Sequence, residues 1–315
     1  MSRPCFKGKP IASAAALART LRIPERQLLW VIDRADQLYR PLPPKIKPDG
    51  SIRQVYDPAR PLKDLQRRIN QYIFSRVDFP TYLQGGIRDK KSPRHCAANA
   101  RLHAGARIVI NEDISGFFPS ITKTQIHDIW QYFFCFPPGI ADILTTLTTY
   151  EGRLPQGSPT SSYLANLVLW KVESMVVETL KSNSIRYSRY VDDITLSSAN
   201  FQNVARQKSM VGTIRSMCDR NGYLIKESKH RVESSGKAMH VNNLLVNNGV
   251  TLPRKERARI RAAVGACEKR SESDRATDEY RKLFNSTLGR VNRLRQYHHH
   301  EGSVLLKRLS VRAPL

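Results

Sequence analysis

Three carboxylates in this sequence could do chemistry. Asp113 closes a run, residues 107–112, in which Ile108 and Ile110 alternate with their neighbours as strand residues do. Asp192 and Asp193 fall at a tight turn, Val191-Asp192, between two strand-like runs, residues 185–190 and 193–198. Strand ends and hairpin tips put side chains at the rim of a sheet, where a ligand can reach them. Two divalent ions about 4 Å apart can bridge the attacking and leaving oxygens of a phosphoryl transfer. Mg²⁺ takes a few carboxylates together with phosphates and water. Two carboxylates on one tip and one on an adjacent strand suit such a pair. Taken alone, Asp192-Asp193 reads far more readily as a polar turn.

The elements that must position these residues can be outlined from period and punctuation. Residues 11–21 and 25–38 read as helices separated by Ile23-Pro24, since proline disfavours helix before it and suits a first helical turn. The pair is expected as a packing cap rather than a DNA-reading helix-turn-helix. Lys47-Pro48-Asp49-Gly50 reads as the turn of a hairpin. Leu62, Leu65, Ile69 and Ile73 mark a helical face. Residues 162–180 read as one long apolar helix, and from Pro253 onward the pattern is helical and basic.

The charge narrows the partners. The 315 residues carry 52 Lys and Arg against 27 Asp and Glu, a net +25, which is the field of a polyanion binder rather than of a small-metabolite enzyme. It is uneven: residues 1–100 hold 20 basic and 8 acidic side chains, residues 101–250 hold 16 and 12, and residues 251–315 hold 16 and 7. Basic flanks around a nearly balanced centre fit a catalytic body between two gripping arms. No apolar run reaches the ~18 residues of a membrane span. Lys7, Lys9 and the weakly apolar residues 11–18 imitate a signal peptide only faintly, because Arg19 follows at once. Cys5, Cys96, Cys135, Cys218 and Cys267 form neither a disulfide framework nor a zinc module. They fit a reducing compartment, and a cytoplasmic location is expected. His298-His299-His300 is read as solvated surface.

Three motifs together carry a resemblance. Tyr190-Val191-Asp192-Asp193 resembles the Y-x-D-D box of reverse transcriptases, and residues 111–118 (NEDISGFF) are similar to their first-aspartate strand. Leu154-Pro155-Gln156-Gly157-Ser158-Pro159 resembles the loop that opens the helix under the incoming nucleotide. The order is the family's, and the likeness covers roughly residues 40–300. Asn99-Ala100-Arg101-Leu102-His103 matches the N-A-x-x-H signature of retron reverse transcriptases. Two positions depart from the retron pattern: V-T-G would fall at Val241-Asn242-Asn243, and the Asn of N-x-x-K is Lys226, with Lys229 kept. These departures bear on RNA and primer recognition rather than on polymerase chemistry.

The resemblance implies an α+β right-hand polymerase: N-terminal helices 1–40, fingers 41–105, palm 106–250 (119–152 shared with fingers) and a basic helical thumb 251–315. It implies an RNA-directed DNA polymerase in which Asp113, Asp192 and Asp193 hold two Mg²⁺, Asp193 least directly. The backbone from Ile114 to Phe117 would approach the triphosphate, and Gln156 and Gly157 would line the nucleotide pocket. Phe118, five residues after Asp113, would be the gate against a ribose 2′-OH, unless Phe117 and Phe118 are both core. Arg53 would touch the triphosphate, and Lys229 would supply charge or a proton near the leaving pyrophosphate. Asn99, His103, Arg254, Lys255, Arg257, Arg261, Arg290 and Arg293 would meet nucleic acid.

A retron enzyme would copy a cognate structured noncoding RNA from the 2′-OH of a guanosine, consuming dNTPs and giving a branched RNA–DNA, the msDNA. A bacterial cytoplasm, a host RNase H, a separate effector protein and a role in phage defence come with that reading. The alternatives are a group II intron-like or diversity-generating enzyme, or a scaffold that binds RNA–DNA without catalysis.

Overall fold

Strand Ile108–Asp113 lies second in a five-stranded sheet, flanked by Asp193–Ser198 on one side and Arg231–Ser234 on the other. The computed structural model describes residues 3–46 and 50–314. The sheet continues from Asp193–Ser198 to Arg186–Tyr190 and ends at Leu83–Gln84, which pairs in parallel. The register sets Asp193 opposite both Asp113 and Tyr190. The expected strand at 107–112 and the two at 185–190 and 193–198 are therefore present within a residue. The short strands Lys45–Ile46 and Ile52–Arg53 pair as the expected hairpin, while its turn at Lys47-Pro48-Asp49 lies outside the described residues.

Helices cover the sheet because their apolar faces need burial. Helix Arg60–Tyr72 starts on Pro61 and buries Leu62, Leu65 and Ile69 at helical spacing. Helices Ala14–Leu21 and Glu25–Asp33 bury Leu17, Leu21, Leu28 and Val31 in the same core, so the N-terminal pair is a packing cap. Trp130, Phe134, Phe136 and Phe74 form an aromatic cluster beside it.

A second core holds the C-terminal part. Helices Arg254–Arg270, Asp278–Tyr297 and His299–Ser310 pack Ile260, Val264, Tyr280, Val291 and Leu305 together. The hairpin His240–Val241 with Leu244–Leu245 joins this core, as do Ala97 and Ala100 of helix Cys96–Leu102.

The single helix expected over residues 162–180 is two. Helix Ser161–Leu167 stops, residues 168–172 turn, and helix Glu173–Ser182 begins. The break swings Glu173 into the core, where its carboxylate takes Arg189 Nε at 2.6 Å and Nη2 at 2.8 Å and the Tyr187 hydroxyl at 2.6 Å. A continuous apolar run carries no mark of such a turn, because both sides of it are buried.

Candidate active site

The hairpin Arg186–Tyr190/Asp193–Ser198 turns through two residues, Val191 and Asp192. Such a turn wants a left-handed first residue, usually glycine. Here it is Val191, at φ +61°, a costly place for a β-branched side chain. Arg189 holds the tip: its Nη1 donates to the Val191 carbonyl at 3.0 Å and to the Ala165 carbonyl at 3.2 Å. The Val191 amide donates to the Gln84 carbonyl at 3.1 Å. The buried Arg189–Glu173 pair thus ties the turn to two helices, and removing one partner alone would strand a buried charge at about 3–5 kcal/mol.

The Ile114 amide donates to the Asp192 carbonyl at 3.0 Å, which locks the tip to the end of the central strand. Asp113, only 5% exposed, receives the Lys229 ammonium at 2.5 Å from its Oδ1. Burial and then the Asp113 charge raise the Asp192 carboxyl above its ordinary pKa. Burial, Asp192 and a hydrogen bond with Asp113 push Asp193 up to about 7. Burial pulls the Lys229 ammonium down, but its hydrogen bond to Asp113 and the charges of Asp113, Asp193 and Asp192 together raise it.

This is the electrostatics of a cation site: three mutually repelling carboxylates, with one ammonium as partial compensation. Carboxylate oxygens are the hard donors Mg²⁺ takes, usually one or two of them with substrate phosphates and water. Among the described residues no three His, Cys, Asp or Glu side chains already converge as a closed cage. The donor set fits an ion shared with a triphosphate.

Asp113 and Asp192 open on a cleft of about 1130 Å³, and Asp193 is not among its lining residues. Asp113, Asp192, Phe118 and Lys229 line it, with Arg53 and Gln156 from other elements. Phe117 is buried, at 2% exposure, and Phe118 is half-buried against it; both border the cleft. Arg153, Lys226 and Arg231 also line it. Sequence reading noted Lys226 only as a departure from the N-x-x-K pattern and passed over the other two, although Arg153 directly precedes the Leu154-Pro155-Gln156 loop and Arg231 lies two residues past Lys229.

Several expected contacts are displaced. His103 does not meet nucleic acid: it is fully buried, and its Nδ1 and Nε2 bond Ser197 Oγ at 2.8 Å and Ser188 Oγ at 2.7 Å. Burial, helped by Arg186, pushes its pKa down to about 3, so it is a neutral bridge behind the hairpin that carries Asp192. Asn99 is buried too, and its amide donates to Asn242 Oδ1 at 2.7 Å. The N-A-x-x-H stretch thereby holds the Val241-Asn242-Asn243 loop instead of touching RNA through Asn99.

Arg257 and Arg261 both bond Glu301, at 2.6 Å and 2.5 Å, which commits them first to packing between two C-terminal helices. Arg254, Lys255 and Arg290 are exposed on those helices and Arg293 is half-buried. The amides of Ile114 and Ser115 are engaged by Asp192 and Leu224, so Ile114 offers the cleft no free donor. Gly157 serves the loop rather than the pocket wall. It lies at φ +108°, and a Cβ there would stand 2.5 Å from the Tyr56 carbonyl oxygen.

A small, mostly antiparallel sheet carrying paired aspartates at a hairpin tip, backed by helices and facing a basic cleft, defines a right-hand polymerase. Residues 45–259 match the family described as Reverse transcriptase (RNA-dependent DNA polymerase). The Retron Se72 reverse transcriptase of Salmonella heidelberg (strain 579083-10) is 34% identical over 303 residues, covering 95% of this chain and 79% of that protein. The Retron Ec48 reverse transcriptase of Escherichia coli is 30% identical over 322 residues, 97% of this chain and 77% of its own. The Retron Ec86 reverse transcriptase of Escherichia coli is 28% identical over 260 residues, 81% and 79% of the two chains. The chain belongs to the retron reverse transcriptases, RNA-directed DNA polymerases. No helix among the described residues is long and apolar enough to cross a membrane.

Proposed function

We propose that this enzyme copies a cognate structured noncoding RNA into a short DNA joined to it through a 2′ branch, within a bacterial retron system. The observation that carries the reading is the convergence of Asp113, Asp192 and Lys229 with Arg53, Gln156 and Phe118 on one cleft. The kinship with enzymes named for retrons supports the branched product.

Asp113, Asp192 and Asp193 would hold two Mg²⁺, which when bound lower the pKa of the attacking hydroxyl and neutralise the triphosphate. Arg53 and Lys229, from different elements of the cleft, bind phosphate oxygens of a dNTP. Gln156 supports the base and sugar, and the ring of Phe118 excludes a ribose 2′-OH. In the free enzyme Lys229 neutralises Asp113, so binding of substrate frees it to turn toward the pyrophosphate. The C-terminal helices act as a thumb, with Arg254, Lys255, Arg290 and Arg293 along the phosphates of the duplex. Such contacts make affinity steeply salt-dependent. A host RNase H trims the template, and a separate effector protein completes a system of phage defence.

Replacing Asp192→Asn and Asp193→Asn together abolishes Mg²⁺-dependent dNTP incorporation and leaves RNA binding intact. DNA product at wild-type levels from that variant would overturn the catalytic assignment. Sequencing of co-purifying nucleic acid should find single-stranded DNA on a 2′-branched guanosine. DNA with an ordinary linear primer would move the enzyme to the group II intron-like or diversity-generating class.

A further inference from the structure

Glu112 precedes Asp113 on the central strand and so faces the other side of the sheet. Its side chain is wholly buried, and it is a carboxylate the polymerase reaction has no evident use for. Its Oε1 takes His230 Nδ1 at 2.8 Å and lies 3.5 Å from Arg215 Nη2. Arg215 in turn grips Glu227 with both Nη atoms, at 2.5 Å and 2.9 Å. Glu227 and His230 bracket Lys229. Two independent arms therefore run from one buried carboxylate to the two sides of the lysine.

The backbone shows why such an anchor is needed. Strand Arg231–Ser234 pairs with the central strand in one register, Arg231 opposite Asn111. Beyond it, Ile225 bridges Ile114. Between these pairings the central strand advances three residues and its partner six. The surplus is the 3-10 turn Glu227–Lys229, which bulges from the sheet edge toward the cleft. The turn is also tied through the Lys226 amide, which donates to the Asp113 carbonyl at 2.8 Å. Lys229 itself is half-exposed, on a long flexible stem. A buried charge on the far face of the strand is costly unless it is paired, and here the pairing fixes the turn.

We infer that Glu112 is a positioning residue for nucleotide addition: through His230 and through Arg215–Glu227 it holds the 227–229 turn so that the Lys229 ammonium reaches the Asp113 side of the cleft. The inference rests on the proposed role of Lys229 at the triphosphate. It concerns placement, and Glu112 touches neither substrate nor metal.

The test is steady-state extension of oligo(dT) on poly(rA) with dTTP and Mg²⁺, using the full chain, in a double-mutant cycle with Lys229→Ala. Glu112→Leu is expected to lower kcat/KM for dTTP about tenfold, as a misplaced catalytic group does, with template–primer affinity unchanged. In the Lys229→Ala background the same substitution should cost less than about twofold, since coupled residues are not additive. Equal losses in both backgrounds would reduce Glu112 to a packing residue and overturn the inference. Glu227→Gln removes the charge of only the outer, exposed arm, weakening its hold on Arg215, and decides the matter if Glu112→Leu does not fold. It should act in the same direction, about threefold, and only when Lys229 is present. No loss from Glu227→Gln or from a folded Glu112→Leu overturns the inference alone. No loss from Lys229→Ala itself overturns the role of Lys229 as well.

Discussion

Gly157 and Tyr56 touch through their backbones. A Cβ on Gly157 would come within 2.5 Å of the Tyr56 carbonyl oxygen, while the Tyr56 amide donates to the Gln156 carbonyl at 2.8 Å. The loop that presents Gln156 to the cleft is thus sewn to strand Tyr56–Pro58. Gly157→Ala meets both the clash and the left-handed strain, a cost of about 1–3 kcal/mol. The expected result is a lowered melting temperature and a raised KM for dNTP. An unchanged KM would separate the loop from nucleotide binding.

The Arg189–Glu173 pair gives a second expectation. Arg189→Met alone leaves Glu173 buried and uncompensated, and should destabilise the protein by about 3–5 kcal/mol in urea unfolding. Arg189→Met with Glu173→Leu should recover most of that stability, because well-packed apolar pairs often replace buried ions without loss. Only kcat should stay low, since the Val191 carbonyl has lost its donor. Full recovery of both would show that the pair is structural and that the tip holds its own shape.

Phe117 and Phe118 both border the cleft, but Phe117 is buried in the core and Phe118 is the more exposed ring. Phe118→Ala should raise the use of ribonucleotides relative to deoxynucleotides by about tenfold or more, the scale on which a pocket wall discriminates. Competitive incorporation assays read the ratio directly. A ratio that does not move would assign the discrimination to another wall of the cleft.

His103 makes the fold acid-sensitive. Its folded pKa, about 3, lies below the unfolded value near 6.5, so the unfolded chain binds the proton more readily. The stability from the neutral ring is complete above pH 6.5 and declines as pH falls toward 3. One such group costs about 2 kcal/mol between pH 6.5 and pH 5. Urea unfolding of wild type and His103→Gln should show a gap that narrows on acidification. A gap independent of pH would mean that the ring is not held neutral.

Local pattern carried much of the site. Alternation put Asp113 at a strand end, and the turn at Val191-Asp192 put two carboxylates at a tip, because strand period and turn chemistry are properties of a few neighbouring residues. The polymerase class followed from the order of three motifs. Where the reading went astray, the deciding contact came from far along the chain. His103 was taken for an RNA contact, yet its partners Ser188 and Ser197 lie 85 and 94 residues away.

By itself, then, the sequence determined the placement of three carboxylates at strand ends, the basic flanks and, by resemblance, the class of chemistry. Only the tertiary structure decided which charges are free to work. Arg257 and Arg261 look like a phosphate grip until Glu301 arrives from another helix. Glu112 looks like one more acid beside Asp113 until the sheet buries it under His230 and Arg215. The physical reason is that a side chain's charge is spent or available according to what burial brings against it. Burial sums contacts over the whole fold, whereas spacing along the chain records only the turn or strand a residue sits in.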